Sequence, residues 1–451
     1  MTQQTNYLTY NQFYTLVKKN HPVIKQAQLH TNAANAEVLM SRGAFDPKYD
    51  FDYTRKVYDG TAYYDYLDNG LKIPTWFGAD IKAGFEDNSG KFLNPTSFTP
   101  PGGLLYLGID VPIAQNMIID ERRATLRQAQ LMKNMAQAEQ IKVANKLLLQ
   151  ATKEYWEWYY QYKKMTAIKA SYDLAYTRYT ATQKRALNGD LAYIDTVEAY
   201  ISLQQRKIEL DNALNDFQNS GIVLSTFLWT ENAEPLELAP NTIPEEPGQQ
   251  PMPNDTLLAN LKKKTESQHP ELLKLNYKIS QLEIEKKLRL NNTLPALSFG
   301  ARYLSSPRRD ILSEVTWDYF STHYKVIVML SQPLFLRKER GKYQLSKIKL
   351  QQAIYEKDIQ KRELLNQVST YFNDLQTYHD LIQNQQQLVQ LNEKLLAAEQ
   401  QKFNTGESTL FMVIARDTKL LETSVKLYEL KSKYEKTKAS LYWAAAVLHE
   451  N

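Results

Sequence analysis

The sequence predicts an α+β membrane protein built by internal duplication, in which long helices are joined to the strands of a transmembrane β-barrel. Three observations predict it. Both halves of the 451 residues follow one plan, the helical tracts are far longer than a globular core is wide, and strands of alternating polarity enter at the same point of each half. With 15 Gly and 17 Pro, turns should be rare and elements long, and Leu, Gln, Lys, Glu and Ala fill the long tracts with good helix formers. No run approaches the roughly 18 apolar residues of a spanning helix, so a polytopic helical membrane protein is excluded.

The duplication is legible by offset. His21-Pro22 recurs as His269-Pro270, and the same offset of 248 carries Pro47 to Pro295 and Phe51 to Phe299. Asp110-Val111-Pro112-Ile113 matches Ser331-Gln332-Pro333-Leu334 at 221, and Leu187-Asn188-Gly189-Asp190 matches Asn404-Thr405-Gly406-Glu407 at 217. The first half therefore carries a longer excursion between Pro47 and Pro112. The first repeat spans 1–229 and the second 255–451, separated by a Pro-rich linker or collar at 230–254.

Each repeat opens with a helix of about 35 residues, Thr9 to Arg42 and Asp255 to Leu290. Strand regions follow at 47–112 and 295–335, then long helices at 115–186 and 338–403. A Gly-containing turn leads into return helices at 191–229 and 409–448. At 1.5 Å per residue the long tracts reach roughly 100 Å, which implies a rod, a bundle or a barrel of helices. In the first return helix Ile194, Ile201, Ile208, Asn215 and Ile222 recur every seven residues. A second stripe, Leu203, Leu210, Phe217 and Leu224, lies about 200° away around the helix. A helix apolar on two opposed sides has neighbours on both, as in a closed ring. In the second half one stripe reappears as Leu420, Leu427, Tyr434 and Leu441.

The strands alternate. Lys48, Asp50, Asp52, Thr54 and Lys56 oppose Tyr49, Phe51, Tyr53 and Val57, with Arg55 the exception. Phe77 to Glu86 and Leu104 to Val111 alternate likewise, and Tyr324, Val326, Val328 and Leu330 share a face near the Phe299 to Tyr303 segment. Apolar-out, polar-in alternation over about ten residues marks a barrel strand, and six tyrosines between Tyr49 and Tyr66 suit an interfacial girdle. An up-and-down path needs an even number of crossings per half. Pro47 to Val57 and Leu104 to Val111 are taken to cross, with Phe77 to Glu86 prolonging the wall or forming an external hairpin. A soluble coiled-coil rod, the competing reading, explains the helices and the repeat but not tyrosine-rich strands placed in both halves.

The whole chain resembles the TolC-like outer-membrane efflux proteins. The resemblance rests on the His-Pro helix ending in a Pro-led strand, on Leu330-Ser331-Gln332-Pro333-Leu334-Phe335, and on two turns. These are Lys184-Arg185-Ala186-Leu187-Asn188-Gly189-Asp190-Leu191, followed by Asp195, and Lys402-Phe403-Asn404-Thr405-Gly406-Glu407-Ser408. It implies a homotrimer with a 12-stranded outer-membrane barrel continued by a periplasmic helical tunnel. It also implies work as the exit duct of a tripartite efflux pump or type I secretion system, with a periplasmic adaptor, an inner-membrane transporter and outer-membrane lipid as partners. Four strands per chain cannot close a sheet in lipid, which agrees with oligomerisation. No signal peptide opens the chain, which reads either as a cytoplasmic protein or as a mature chain with an added Met1, and the architecture favours the second.

Candidate sites follow from the turns. Gly189 and Gly406 permit left-handed backbone where helix hairpins reverse. The resemblance implies adaptor docking at Leu187, Asn188, Gly189, Asp190, Thr405, Gly406, Glu407 and Ser408. Asp195 and Glu198, three residues apart on one helix face, would form an acidic ring when repeated by symmetry, and such rings select cations. The resemblance places gate carboxylates mainly at the second turn, where this chain has Met412 and Ala415 with Arg416 and Asp417 beside them. His21 and His269 read as structural, and the aromatic run Tyr155 to Tyr162 as core packing. No catalytic constellation, cofactor motif or metal spacing stands out, and the absence of Cys excludes thiolate sites. With 55 basic and 50 acidic residues interspersed, net +5, the charges read as solvated helix faces with no nucleic-acid footprint.

Overall fold

A computed structural model describes residues 6–239, 241–249, 251–306 and 321–450. Residues 307–320 of the expected second strand region, and Pro240 and Gln250 of the linker, lie outside them. In chain order the elements are β1 (Asn6–Leu8), α1 (Tyr10–Asn20), α2 (Pro22–Arg42), β2 (Lys48–Tyr58), β3 (Thr61–Pro74), β4 (Asp80–Ser89) and β5 (Leu104–Pro112). Then come α3 (Glu121–Leu187), α4 (Tyr193–Ser225), β6 (Thr242–Pro244), α5 (Asp255–Gln268) and α6 (Pro270–Asn291). The chain finishes with β7 (Ala296–Ser305), β8 (Tyr324–Ser331), α7 (Arg337–Thr405) and α8 (Leu410–Ala444). Two compact units form, one from residues 1–30, 138–273 and 359–451, the other from 31–137 and 274–358. Each sequence repeat contributes to both.

The first unit is helical. The opening helix expected in each repeat is in fact two, broken at His21-Pro22 and His269-Pro270. Proline has no N–H and suits a first helical position, while the residue before it is pushed to extended backbone. His21 and His269 accordingly have ψ of 130° and 125°. Each imidazole then caps the next helix. Nδ1 of His21 accepts the Val23 N–H at 3.2 Å, and Nδ1 of His269 accepts the Glu271 N–H at 3.2 Å. Two clusters fill the core. One joins Phe13, Leu148, Tyr155, Trp158, Tyr159 and Leu224, and the other Val368, Phe372, Leu430, Tyr434 and Leu441. The aromatic run is core, as the sequence suggested. Its hydroxyls bond the strand pair and the collar: Tyr155 donates to the Leu8 carbonyl at 2.8 Å and Tyr159 to Glu246 at 2.9 Å. Beside them β1 pairs parallel with β6.

On α4 the two apolar stripes have different fates. Leu203 and Leu224 are buried, whereas Ile194, Ile201, Ile208 and Ile222 are 53–68% exposed. On α7, Leu381, Leu388, Leu391 and Leu395 are bare too. The stripe of α8 is covered, with Leu427, Tyr434 and Leu441 all buried.

The second unit holds a six-stranded antiparallel sheet in the order β2-β3-β4-β5-β7-β8. The sequence foresaw five of these strands and assigned four to the wall; β3 was missed. Its alternation is blurred, because Asn69 interrupts the apolar side while Tyr64 and Tyr66 sit on the polar one. The segment from Phe77 also begins later than expected, at Asp80, because Thr75 to Ala79 form the turn between β3 and β4. The register aligns one apolar row across all six strands: Tyr49, Leu71, Ala83, Leu107, Tyr303 and Tyr324.

The buried His269 imidazole is held neutral, its pKa lowered by burial from 6.5 to about 4. The folded chain thus binds fewer protons than the unfolded one below pH 6.5, so stability falls as pH drops from there toward 4. At 1.36 kcal/mol per unit this loss approaches about 3 kcal/mol. In His269→Asn, which keeps a capping oxygen, urea unfolding followed by circular dichroism should show a smaller drop in midpoint between about pH 7 and about pH 4.5 than the parent chain.

Candidate functional site

Both helix reversals close in the same way. After α3, the Asp190 N–H donates to the Arg185 carbonyl at 2.9 Å, and after α7 the Glu407 N–H donates to the Lys402 carbonyl at 2.9 Å. These are six-to-one Schellman bonds, which need a left-handed residue at the position before. Gly189 and Gly406 occupy it, each with φ of 81° and open space around a would-be Cβ. The Arg185 guanidinium sits over the Phe403 ring, 5.6 Å from its centre, and ties one reversal to the other. Leu187, Asn188, Asp190, Thr405 and Glu407 are exposed, while Ser408 is half-buried and donates to Glu399. Thr409 caps α8 through the Met412 N–H. Tyr193 and Phe411, 80% and 64% exposed, stand beside the turns. Sequence reading did not single them out, although an aromatic side chain just past a Gly turn is a visible signal.

The four gate candidates divide. Asp195 lies in the first turn of α4, and Glu198 follows three residues later; both are half-buried. Arg416 faces Glu399 at 3.7 Å. Asp417 is instead buried inside the protomer, where it accepts a hydrogen bond from Ser171 at 3.2 Å and faces Arg178 at 3.7 Å. Arg178 is equally buried, and its guanidinium nitrogens have no hydrogen-bond partner. Burial lowers its pKa, against the opposing pull of Asp417. Arg206, also buried, donates to Thr418 at 2.6 Å and to Glu209 at 2.7 Å. The turn-proximal helices thus enclose a charged cluster that the sequence could not disclose, since Arg178 and Asp417 are far apart in the chain. Among the described residues no group of His, Asp or Glu is arranged to hold a metal ion.

In the sheet unit, the polar face carries its own network near the start of α3. Arg122 donates to Asp80 at 2.9 Å and pairs with Asp120 at 3.1 Å, Lys72 pairs with Asp80 at 3.0 Å, and Lys82 pairs with Asp110 at 2.6 Å. These charges line an open cleft of about 580 Å³. The opposite face is apolar and bare, with Phe51, Val328 and Leu330 between 62% and 70% exposed. Among the described residues no helix is long and apolar enough to cross a membrane.

A sheet with one polar and one apolar face, joined to paired helix hairpins, is the fold of outer-membrane channels. The chain superposes on the CmeC outer membrane channel of Campylobacter jejuni with a TM-score of 0.65 and 14% identity, over 97% of this chain and 85% of that one. It matches the outer membrane protein VceC of Vibrio cholerae with a TM-score of 0.65 and 14% identity, over 97% and 95%. The open state of the MtrE outer membrane channel of Neisseria gonorrhoeae gives 0.66 and 10%, over 96% and 88%. Residues 261–447 match the family of outer membrane efflux proteins, and the resemblance drawn from the sequence holds. Among curated proteins nothing matches.

Truncating one partner of a buried ion pair leaves the other charge uncompensated, at a cost of about 3–5 kcal/mol. Asp417→Ala should therefore lower the unfolding midpoint strongly, whereas Ser171→Ala, which removes one hydrogen bond, should cost about 1 kcal/mol. Chemical denaturation of the two variants side by side checks the ranking.

Proposed function

We propose that the chain is one protomer of a trimeric exit duct in the bacterial outer membrane, passing small molecules or proteins out of the cell. The observation that carries this reading is the sheet. Its apolar face is bare, its polar face is charged, and among the described residues its two edges, β2 and β8, are unpaired. Backbone groups at an open edge have no partner in lipid, so such a sheet needs further copies to close it. The bare isoleucine stripe of α4 and leucine stripe of α7 supply matching apolar surfaces for the same neighbours. Cyclic symmetry closes the ring. A soluble rod gives no reason for an exposed sheet face of Phe, Val and Leu.

In this reading the duct is passive. Energy comes from an inner-membrane transporter, and a periplasmic adaptor docks on the exposed turns at Leu187 to Asp190 and Thr405 to Ser408. Asp195 and Glu198 act as the gate ring just past the first turn. Asp417, enclosed with Arg178, holds the helices of the gate in place, and Arg416 tethers to Glu399.

Native mass spectrometry in detergent should give three chains. Ile201→Asp with Ile208→Asp puts two charges per chain into the bare stripe and should yield monomers with unchanged helix content; a trimer of normal stability in that variant would overturn the assignment of the stripe. In planar bilayers, Asp195→Asn with Glu198→Gln should lower cation preference and weaken block by trivalent cations, because carboxylates in a constricted ring attract cations and repel each other. Unchanged selectivity in a folded double variant would mean that the two acids face solvent outside the duct.

A further inference from the structure

We infer that the β3–β4 hairpin is part of the membrane wall, so that each chain contributes six barrel strands and a trimer closes an eighteen-stranded barrel, β2 of one copy pairing with β8 of the next. The inference rests on the trimeric duct proposed above and alters its bore.

Three observations carry it. First, β3 and β4 are not an appendage at a sheet edge. They lie between β2 and β5, hydrogen-bonded on both sides, from Lys48 opposite Lys72 to Tyr58 opposite Thr61 and from Asp80 opposite Asp110 to Glu86 opposite Leu104. Second, the hairpin obeys the same two-sided chemistry as its neighbours. Leu71 and Ile73 of β3, with Ile81 and Ala83 of β4, share the apolar face with Tyr49 and Leu107. The other face is polar and stitched across strands: Lys72 pairs with Asp80 at 3.0 Å, Lys82 with Asp110 at 2.6 Å, and the Tyr106 hydroxyl donates to Asp68 at 3.2 Å. Toward the β2–β3 turn the apolar face also carries Asp65 and Asp87, so its apolar band runs from Leu67 to Ile73, broken at Asn69, and from Ile81 to Phe85; a hairpin in water on both sides has no need of such a band. Third, the hairpin reverses at the helical end of the sheet. Arg123, in the first turn of α3, donates to the Phe77 carbonyl at 3.3 Å, and Arg122 bonds Asp80 at 2.9 Å. The turn therefore lies at the end where β2 begins and β5 finishes, so β3 and β4 run the same height as those strands. Their 14 and 10 residues suffice for a crossing, which takes about 9–11.

Barrel diameter grows roughly linearly with strand number, and barrels of 16–18 strands leave an aqueous channel. The eighteen-stranded wall is then about half as wide again as a twelve-stranded one.

The chain contains no Cys, so single-cysteine spin labels report one position each. In the full-length protein reconstituted into liposomes, labels at Leu71→Cys and Ala83→Cys should be relaxed by oxygen and shielded from a water-soluble nickel chelate. A label at Lys72→Cys should show the reverse. Leu107→Cys, on a strand that belongs to the wall under either count, is the reference and should behave like Leu71→Cys. Nickel access at positions 71 and 83 with a lipid-exposed position 107 would overturn the inference and leave the duct with twelve strands. Nickel access at position 107 as well would overturn the membrane reading itself. Electron cryomicroscopy of the unsubstituted protein in lipid nanodiscs reads the strand number directly, and twelve wall strands there would refute the proposal whatever the labelled variants do.

Discussion

Unpaired backbone groups at a sheet edge are tolerable in water and costly in hydrocarbon, where nothing else can satisfy an N–H or a carbonyl. This constraint organises the second unit. Its sheet turns alternate side chains of six strands toward an apolar face, yet among the described residues it ends in open edges at β2 and β8. In the proposed trimer neighbouring copies pair those edges. Chemistry on the polar side follows from the same alternation. Lysine, aspartate and arginine gather there in pairs, Lys72 and Arg122 on Asp80 and Lys82 on Asp110, whereas the apolar side carries the Arg55–Asp65 pair toward the β2–β3 turn.

The helical unit solves a related problem with side chains instead of backbone. A helix pair that buries one stripe and leaves another bare is half of an interface. On α4 Leu224 and Phe217 pack into the aromatic core around Trp158, and Leu8 of β1 with the collar residues Glu246 and Pro251 take up the tyrosine hydroxyls of that core and of α8. Buried tyrosine needs such partners, and the proline-rich segment supplies two, the Glu246 carboxylate and the Pro251 carbonyl.

Much of this was legible in the sequence because its signals are periodic. The duplication, the long helices and five of the six strands follow from offsets and from periods of 3.5 and two residues. The two glycine turns were readable because left-handed backbone is chemically expensive for other residues. Three things were hidden. Strand β3 carries Asn69 among its apolar residues and tyrosines among its polar ones, so its period is masked. The helix breaks at His21 and His269 depend on the imidazole acting as a cap, an uncommon choice beside Ser, Thr or Asp. The pairing of Arg178 with Asp417 is purely tertiary, so the family resemblance that put Asp417 beside the gate positions could not show its burial against Arg178.

The side chain of Tyr106 lies across Gly70 and Gly84, close enough that a Cβ on either glycine would fall 2.4–2.5 Å from its hydroxyl. The ring thus occupies the space that two missing side chains leave on adjoining strands. Slipping β5 by one residue would bring Leu105 or Leu107 over these gaps and turn the ring to the apolar side. The strand alignment is therefore keyed from within the sheet rather than dictated by connection length. The segment from Gly90 to Gly103, which joins β4 to β5, is fastened to the sheet at separate points: the Phe92 N–H donates to the Tyr63 carbonyl at 2.9 Å, Thr99 accepts from the Asn88 N–H at 2.9 Å, and Leu93 is buried. Insertions between these fastenings lengthen the loop without moving the strands that Tyr106 holds in register.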